Sequence, residues 1–404
     1  MPTRYAKNAT LPILIAIALG MTLGLVSPSL AIEMKVLSDG FIKCVGLLMP
    51  FLLFVLVSTG VAGIKRAPQH RHVVRRIIVY FQLMSCAALM LGMATGWVFN
   101  LETSAVSAPP LPPESFLHEL SLLSASSTLY RVFTQSLVLQ VMFAAVLCGL
   151  LLGRGSSLGN RCLGWLEAGV QGVFFVLRII LTFAPLAAFG AMAFVVGKYG
   201  LSSVLPLLKF VLVIYLVSAL FVVVVLAFIT RLVGIKLTRL MGYLKEELLL
   251  VTFTGSSVAA LPGCVDKLEA LGCDRQLVRL VLTTGYTFNL AGTNLYLTTA
   301  IMFLAHMAGV EIALPELLAV LVICLVTSLG STSVAGSALF TLIATLNILQ
   351  LVPLEGVGLL LGVERLMKCR SLTNVLGNCV ACLAICGWQK SIDREVLKQA
   401  LPTQ

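Results

Sequence analysis

The sequence predicts an all-α polytopic membrane protein, and three observations predict it. Of its 404 residues, 59% are hydrophobic and 11% charged, with a mean hydropathy of +1.03. A water-soluble domain needs more polar surface than that to cover its exterior. Apolar runs near the ~18 residues that signal a membrane span recur along the chain. They include Leu11–Val26, extending to Leu30, Leu47–Ile64, Ile77–Phe99, Leu137–Leu152, Val211–Ile229 and the shorter Leu317–Val326. Third, charge alternates between the connections.

With a cytoplasmic N-terminus, basic residues collect in each segment predicted inside: Arg4 and Lys7; Lys65, Arg66, Arg71, Arg75 and Arg76; Arg154 and Arg161; Arg231, Lys236, Arg239 and Lys245; Lys390, Arg394 and Lys398. The outer segments hold mainly acids: Glu33 and Asp39; Glu102, Glu114 and Glu119; Glu311, Glu316 and Glu355. This is the positive-inside pattern. It accounts for the net charge of +11 without a nucleic-acid partner, which would need one contiguous basic face.

Element by element, helix 1 is expected at 9–31, helix 2 at 41–64, helix 3 at 75–99 and helix 4 at 129–153. The Ser- and Pro-rich 100–128 stretch reads as an external loop. Helix 5 follows at 166–197 and helix 6 at 203–233. The basic start and apolar first run resemble a signal peptide but read as a retained span, because the later spans need no separate signal. Most of the eleven cysteines, such as Cys148, Cys324, Cys382 and Cys386, fall inside apolar spans and read as packing residues. Cys379-x-x-Cys382 lacks the second pair or histidine of a zinc site.

The second half differs. Small polar residues interrupt its apolar stretches at Thr252–Ser257, Asn289–Thr293 and Thr327–Ser337. Backbone that leaves a helix at membrane depth must be buried in protein or line a wet cavity. Interrupted spans of this kind point to a transporter's binding site, although a single one would also fit helix packing. The last span then carries Glu364, Arg365, Lys368 and Arg370 between apolar stretches. Each such charge costs roughly 2.5 kcal/mol or more to insert, so it needs a partner or a function. Arg370, Asn374 and Asn378 are spaced four apart and share a helix face. The guanidinium offers a fork suited to a carboxylate. Glu364 and Lys368, also four apart, are expected to neutralise each other. Lys368 and Arg365 are otherwise read as snorkelling or salt-bridging residues.

These residues carry a resemblance. Ala184–Gly200, Tyr243–Glu247, Leu271–Cys273, Gly285–Thr293 and Leu372–Asn378 are similar to segments of the dicarboxylate/amino acid:cation symporters, most closely the bacterial C4-dicarboxylate transport proteins. The resemblance runs from helix 1 to about Gln389. It implies eight transmembrane helices plus two re-entrant helical hairpins, at about 241–272 and 315–350, in a homotrimer of the bacterial inner membrane with both termini cytoplasmic. It also implies an elevator in which a transport core, 241–390, moves against scaffold helices within 1–240. Helices 3 and 6 belong partly with the core, and 391–404 forms a cytoplasmic tail.

By the same resemblance, Arg370 would pair with a substrate carboxylate. Ser256 and Ser257 would contribute from the first hairpin tip, and Thr293 and Asn374 from the helices. Val334 and Gly336 belong to the second tip. Gly285, Thr287, Asn289, Ser328, Leu329, Ser331 and Asn378 would be the candidate cation ligands. No cofactor is expected beyond a coupling sodium ion or proton.

The chain departs from the family pattern where sodium would bind. Ala291 replaces a family aspartate, which removes a hard oxygen ligand and a negative charge. Asn378 stands where amino-acid carriers have an acid, and Ser85-Cys86 only partly matches a hydroxyl pair on helix 3. The first tip lacks the longer serine run, and Ser333 and Ala338 replace glycines of the second. One residue is missing between Glu364 and Arg370, a phase shift of about 100° in a continuous helix. No Asp stands a turn before Arg370, or a turn after it at Asn374, to hold a substrate ammonium, which favours a dicarboxylate over an acidic amino acid.

The expectation is therefore import of a small C4-dicarboxylate by cation symport, with sodium coupling weakened or replaced by protons. Glu364 or the Glu246–Glu247 pair would then titrate. An acidic or neutral amino-acid symporter and a non-transporting sensor or scaffold are the other readings. An enzyme is not expected: no Gly-x-Ser-x-Gly, His-Glu-x-x-His or Walker loop occurs, and the histidines at 70, 72, 118 and 306 fit loop or helix-end positions.

Overall fold

The computed structural model describes residues 10–65, 71–98, 137–201, 204–310, 312–329, 331, 337–349 and 355–401. Among them every extended element is helical. The chain begins with α1 (Thr10–Val26), α2 (Pro28–Glu33), α3 (Lys35–Lys65) and α4 (Arg71–Val98). It continues with α5 (Leu137–Leu152), α6 (Ser157–Thr182), α7 (Ala184–Tyr199) and α8 (Val204–Val233). Among the described residues, four helical stretches are long and apolar enough to cross a membrane: His72–Ala94, Val204–Val233, Arg275–Met307 and Cys369–Trp388.

Two expected boundaries move for the same reason. Helix 1 stops at Val26 because Pro28 opens a new helix, and predicted helix 5 divides at Phe183 because Pro185 sits at the start of α7. Proline lacks the N–H that an interior position must donate, so it belongs in a first turn. The 157–182 stretch is thereby a helix of its own, and the predicted 166–197 span joined two elements. The 100–128 loop lies outside the described residues.

Small residues set the packing of the outer helices. A Cβ on Gly20 would lie 2.5 Å from the Phe189 carbonyl, and one on Gly24 would lie 2.7 Å from Val196 Cβ, so α1 and α7 meet almost backbone to backbone. Close approach of this kind drives association in lipid, where apolar burial gives little. Ser58 adds a hydrogen bond from α3 to the Ala145 carbonyl of α5 at 3.1 Å.

The next segment folds back on itself. It comprises α9 (Leu237–Tyr243), α10 (Lys245–Thr254), a 3-10 turn at Ser257–Ala260 and α11 (Leu261–Ala270). Lys267 Nζ donates to the Tyr243 carbonyl at 3.0 Å and pairs with Glu247 at 2.7 Å. A Cβ on Gly263 would meet Glu247 Oε1 at 2.7 Å. Both 243/267 and 247/263 are symmetric about 255, which makes this a hairpin with Gly255 at its tip. Gly255 has φ +68°, a left-handed conformation that glycine adopts without the Cβ clash.

After it come α12 (Arg275–Phe288) and α13 (Ala291–Met307), with the break at Asn289-Leu290. Asp274 caps α12 by accepting from the Gln276 and Leu277 amides. A second pair, α14 (Leu314–Ser328) and α15 (Ser337–Leu349), is joined by a 2.8 Å bond between the Thr327 and Thr345 hydroxyls. Those positions are 18 residues apart in the chain, so the bond holds the two helices side by side. The last elements are α16 (Glu355–Val363), a 3-10 turn at Glu364–Leu366, α17 (Cys369–Trp388) and α18 (Arg394–Ala400).

The core sits on α13, which packs against α4, α8, α14, α15 and α17. Thr298 and Thr299 tie it to α4 by donating to the Leu89 and Gly92 carbonyls at 2.9 and 3.1 Å. The 391–401 segment is a docked element rather than a loose extension. Its Asp393 amide donates to the Gly272 carbonyl, the Asp274 amide donates to Ser391, and Leu397 and Leu401 are buried.

Candidate functional site

The site forms where two helices begin. α13 starts at Ala291 after the break, so its first amides have no partner within the helix. Asn374 of α17 supplies one: its Oδ1 accepts from the Gly292 amide at 2.8 Å and from the Thr293 amide at 3.3 Å. Its Nδ2 donates to Thr293 Oγ1 at 3.1 Å. Leu290, the residue in the cap position, offers no side-chain bond of its own. Gly292 allows this contact, since a Cβ there would run into the Arg370 carbonyl.

Beneath the break, Asn289 Nδ2 donates to Asn378 Oδ1 at 2.9 Å, and both side chains are buried. A Cβ on Gly285 would stand 2.5 Å from that same Asn378 oxygen. Asn289 Oδ1 and Asn378 Nδ2 have no hydrogen-bond partner. The structure thus gathers Gly285, Asn289 and Asn378 in one place, with Ala291 at the adjoining helix start.

Ser328, Leu329 and Ser331 stand at the end of the α14 arm, where Ser328 and Ser331 are buried. Leu329 shares a cavity of 170 Å³ with Thr284 and Phe288 of α12 and with Phe81 of α4. Thr287 is half-buried on the last turn of α12. Val334 and Gly336 lie outside the described residues.

The first hairpin's tip is tied to α17 by reciprocal bonds. Ser257 Oγ donates to the Ser371 carbonyl at 3.2 Å, and Ser371 Oγ donates to the Gly255 carbonyl at 3.0 Å. Ser257 is 1% exposed and the adjacent Ser256 is half-buried. Ser371, which sequence reasoning passed over, is the residue that seats the tip.

Arg370 lies in the first turn of α17 and is 8% exposed. Its Nη2 pairs with Glu364 Oε1 at 2.5 Å, and its guanidinium carbon stacks 4.3 Å from the Tyr296 ring centroid. Nε makes a long contact of 3.4 Å to the Met367 carbonyl, and the buried Nη1 has no partner. The expected Glu364–Lys368 pairing assumes a helical spacing that this stretch does not have. The chain is not α-helical from Glu364 to Lys368, Met367 having ψ +57°, so residues four apart do not share a face there. No helical phase is carried across that turn. Lys368 takes its ammonium to the hairpin tip, within 2.9 Å of where a Gly255 Cβ would stand. Tyr215 of α8 braces the turn by donating to the Leu366 carbonyl at 2.8 Å.

At the hairpin's foot, Lys267 bridges Glu246 and Glu247 at 3.0 and 2.7 Å. Its hydrogen bond holds the exposed Glu246 carboxyl below the usual carboxylate range. Lys267 thus offsets one of the two negative charges of that pair.

The geometry can host an acid. One cation with an unused donor, a second cation at the tip, two serines and a helix N-terminus converge, the elements that bind carboxylates. The chain matches the model of the sodium:dicarboxylate symporter family over residues 10–388. It is 38% identical to the C4-dicarboxylate transport protein of Burkholderia pseudomallei (strain 668), across 99% of this chain and 97% of that protein. The proteins of the same description from Burkholderia mallei (strain SAVP1) and Burkholderia thailandensis match at the same identity and coverage. These relatives are transport proteins, not enzymes. With its apolar spans, its interrupted helices and a match over nearly its full length, the chain belongs to the sodium:dicarboxylate symporter family.

Proposed function

We propose that this protein imports a C4-dicarboxylate of the succinate, fumarate or malate type by cation symport across a bacterial inner membrane. The observation that carries this reading is Arg370: a buried guanidinium with one donor unused, beside a hairpin tip that brings Ser256, Ser257 and a second cation. Arg370 takes one carboxylate of the substrate and Lys368 the other. Thr293 and Asn374, bonded to each other, shape the pocket and hold the α13 N-terminus toward it. Val334 and Gly336 close it from the second hairpin. The elevator, with core 241–390 moving against a trimeric scaffold and both termini cytoplasmic, is the motion that suits a site built between two hairpins.

Coupling follows from the ion ligands that remain. Ala291 contributes no oxygen, and Asn289 and Asn378 are neutral amides joined by one hydrogen bond with Asn289 Oδ1 left unpartnered, so the Gly285–Asn289–Asn378 cluster lacks anionic charge. Backbone oxygens near Gly285, Thr287, Ser328, Leu329 and Ser331 are the remaining cation donors. Sodium coupling is accordingly weak, and protons take over part or all of the driving role.

Competition settles the substrate class. Labelled succinate uptake into proteoliposomes should be blocked by fumarate and malate and not by aspartate. Equal inhibition by aspartate would move the assignment to amino acids.

A further inference from the structure

We propose that the cavity between α4, α8, α17 and the docked 391–401 segment binds an anionic membrane phospholipid. Its phosphate lies on Lys390 and Arg394, and an acyl chain follows α8 outward. The cavity measures 500 Å³ and shares no lining residue with the substrate and cation candidates. One wall is apolar, built from Ile229, Leu232 and Val233 of α8 and Ala384 of α17. That wall reaches the outer surface of the bundle, where Leu232 is 71% and Trp388 53% exposed.

The rim is cationic. Lys390 and Arg394 line it, and no acid stands among the lining residues. Among the described residues no carboxylate pairs with either cation. The neighbouring Asp393 is engaged in accepting from the Glu395 and Val396 amides. Arg76 of α4 adds a further positive charge beside the cavity, its Nη1 donating to the Trp388 carbonyl at 3.3 Å. Lys390 itself has φ +55°, just beyond the end of α17, where glycine is the usual residue. The alternation of charge assigns these segments to the cytoplasmic side, where anionic headgroups meet basic pockets between helices.

Tyr80 points to a ligand rather than to a solvated basic rim. It lines the cavity and is 4% exposed, and its hydroxyl has no hydrogen-bond partner. A buried hydroxyl left unpaired is uncommon, because it has given up water for nothing. Its ring stands edge-on to Trp388, with centroids 5.8 Å apart. Tyr80 follows Arg76 by about one helical turn, so its ring stands farther along α4 than the cations. A phospholipid offers matching layers in the same order: phosphate, then ester carbonyls that accept hydrogen bonds, then hydrocarbon. Free phosphate would leave the apolar wall uncovered, and a zwitterionic headgroup would leave the rim's charge uncompensated. The docked tail gains a purpose too, since Lys390, Ile392, Arg394 and Leu397 complete the cavity.

Tryptophan quenching by phospholipids with brominated acyl chains tests the proposal. The full-length protein in detergent micelles is titrated with brominated phosphatidylglycerol and, in parallel, with brominated phosphatidylcholine. Phosphatidylglycerol should quench saturably, at a half-point roughly tenfold lower in mole fraction than phosphatidylcholine, as two basic residues at the surface imply. Trp388→Phe should remove the saturable part of the signal. Lys390→Gln combined with Arg394→Gln should abolish the preference, whereas Lys390→Arg combined with Arg394→Lys should keep it. Tyr80→Phe deletes only the hydroxyl and should raise the half-point about threefold, the loss of one hydrogen bond. Equal half-points for the two lipids overturn the proposal. So does a preference unchanged in the double glutamine variant, saturable quenching that survives Trp388→Phe, or a half-point unmoved by Tyr80→Phe. Displacement of phosphatidylglycerol by inorganic phosphate would make this a site for the free anion and overturn the lipid assignment.

Discussion

The α8 span and the α12–α13 span teach opposite lessons about hydropathy. The most apolar stretch of α8 is only 33% buried within the protein, whereas that of Arg275–Met307 is 94% buried. The α8 surface leaves Leu212, Val223, Val224 and Phe228 each more than half exposed. By contrast α13 buries Thr293, Asn294, Thr298 and Thr299. In a membrane, apolar side chains face the solvent and polar ones face protein that can satisfy them. Interrupted hydrophobicity therefore marks the interior, and the candidate site lies there.

The sharpest way to break that contrast is Arg370→Ala. It removes the guanidinium that pairs with the buried Glu364, at a cost of about 3–5 kcal/mol. Thermal unfolding should shift down accordingly and uptake should fall to background. Gly292→Ala comes next. Its Cβ meets the Arg370 carbonyl, so α13 and α17 must separate, at about 1–3 kcal/mol, with uptake reduced in parallel. Asn374→Ala removes the α13 cap and should cost about 0.5–2 kcal/mol, seen as faster amide exchange at Gly292 and Thr293. Thr327→Val loses the bond between the arms of the second hairpin, worth about 1 kcal/mol. Leu212→Ala on the lipid face should stay within about 0.5 kcal/mol of the parent. A larger loss there than at Gly292 would reverse the comparison.

The sequence exposed the parts of this architecture that local chemistry dictates. Apolar runs revealed the spans, and Asn289–Thr293 marked a break that the structure places between Phe288 and Ala291. Arg370, Asn374 and Asn378 do line one side of α17, where each reaches the α12–α13 region: Arg370 through Tyr296, Asn374 through Thr293, Asn378 through Asn289. What stayed hidden depends on contacts between distant segments. Ser371 has no unusual sequence context, yet it closes on Gly255, 116 residues away. The place of Lys368 beside Gly255 stayed hidden because helical spacing was assumed through Met367, where the chain turns instead. The docking of 391–401 on Gly272 and Asp274 rests on backbone bonds that side-chain patterns do not encode. Predicted helix 5 merged two elements because a proline in a first turn and a proline that kinks one helix read alike without tertiary context.

The central claim is that Arg370, held half-paired at the start of α17, anchors a dicarboxylate. Its most direct test is labelled succinate uptake into proteoliposomes carrying either the intact protein or Arg370→Ala, reconstituted at matched density. The intact protein should accumulate succinate well above empty vesicles while Arg370→Ala matches them. Equal uptake by the two proteins, whether both active or both at background, would contradict the account.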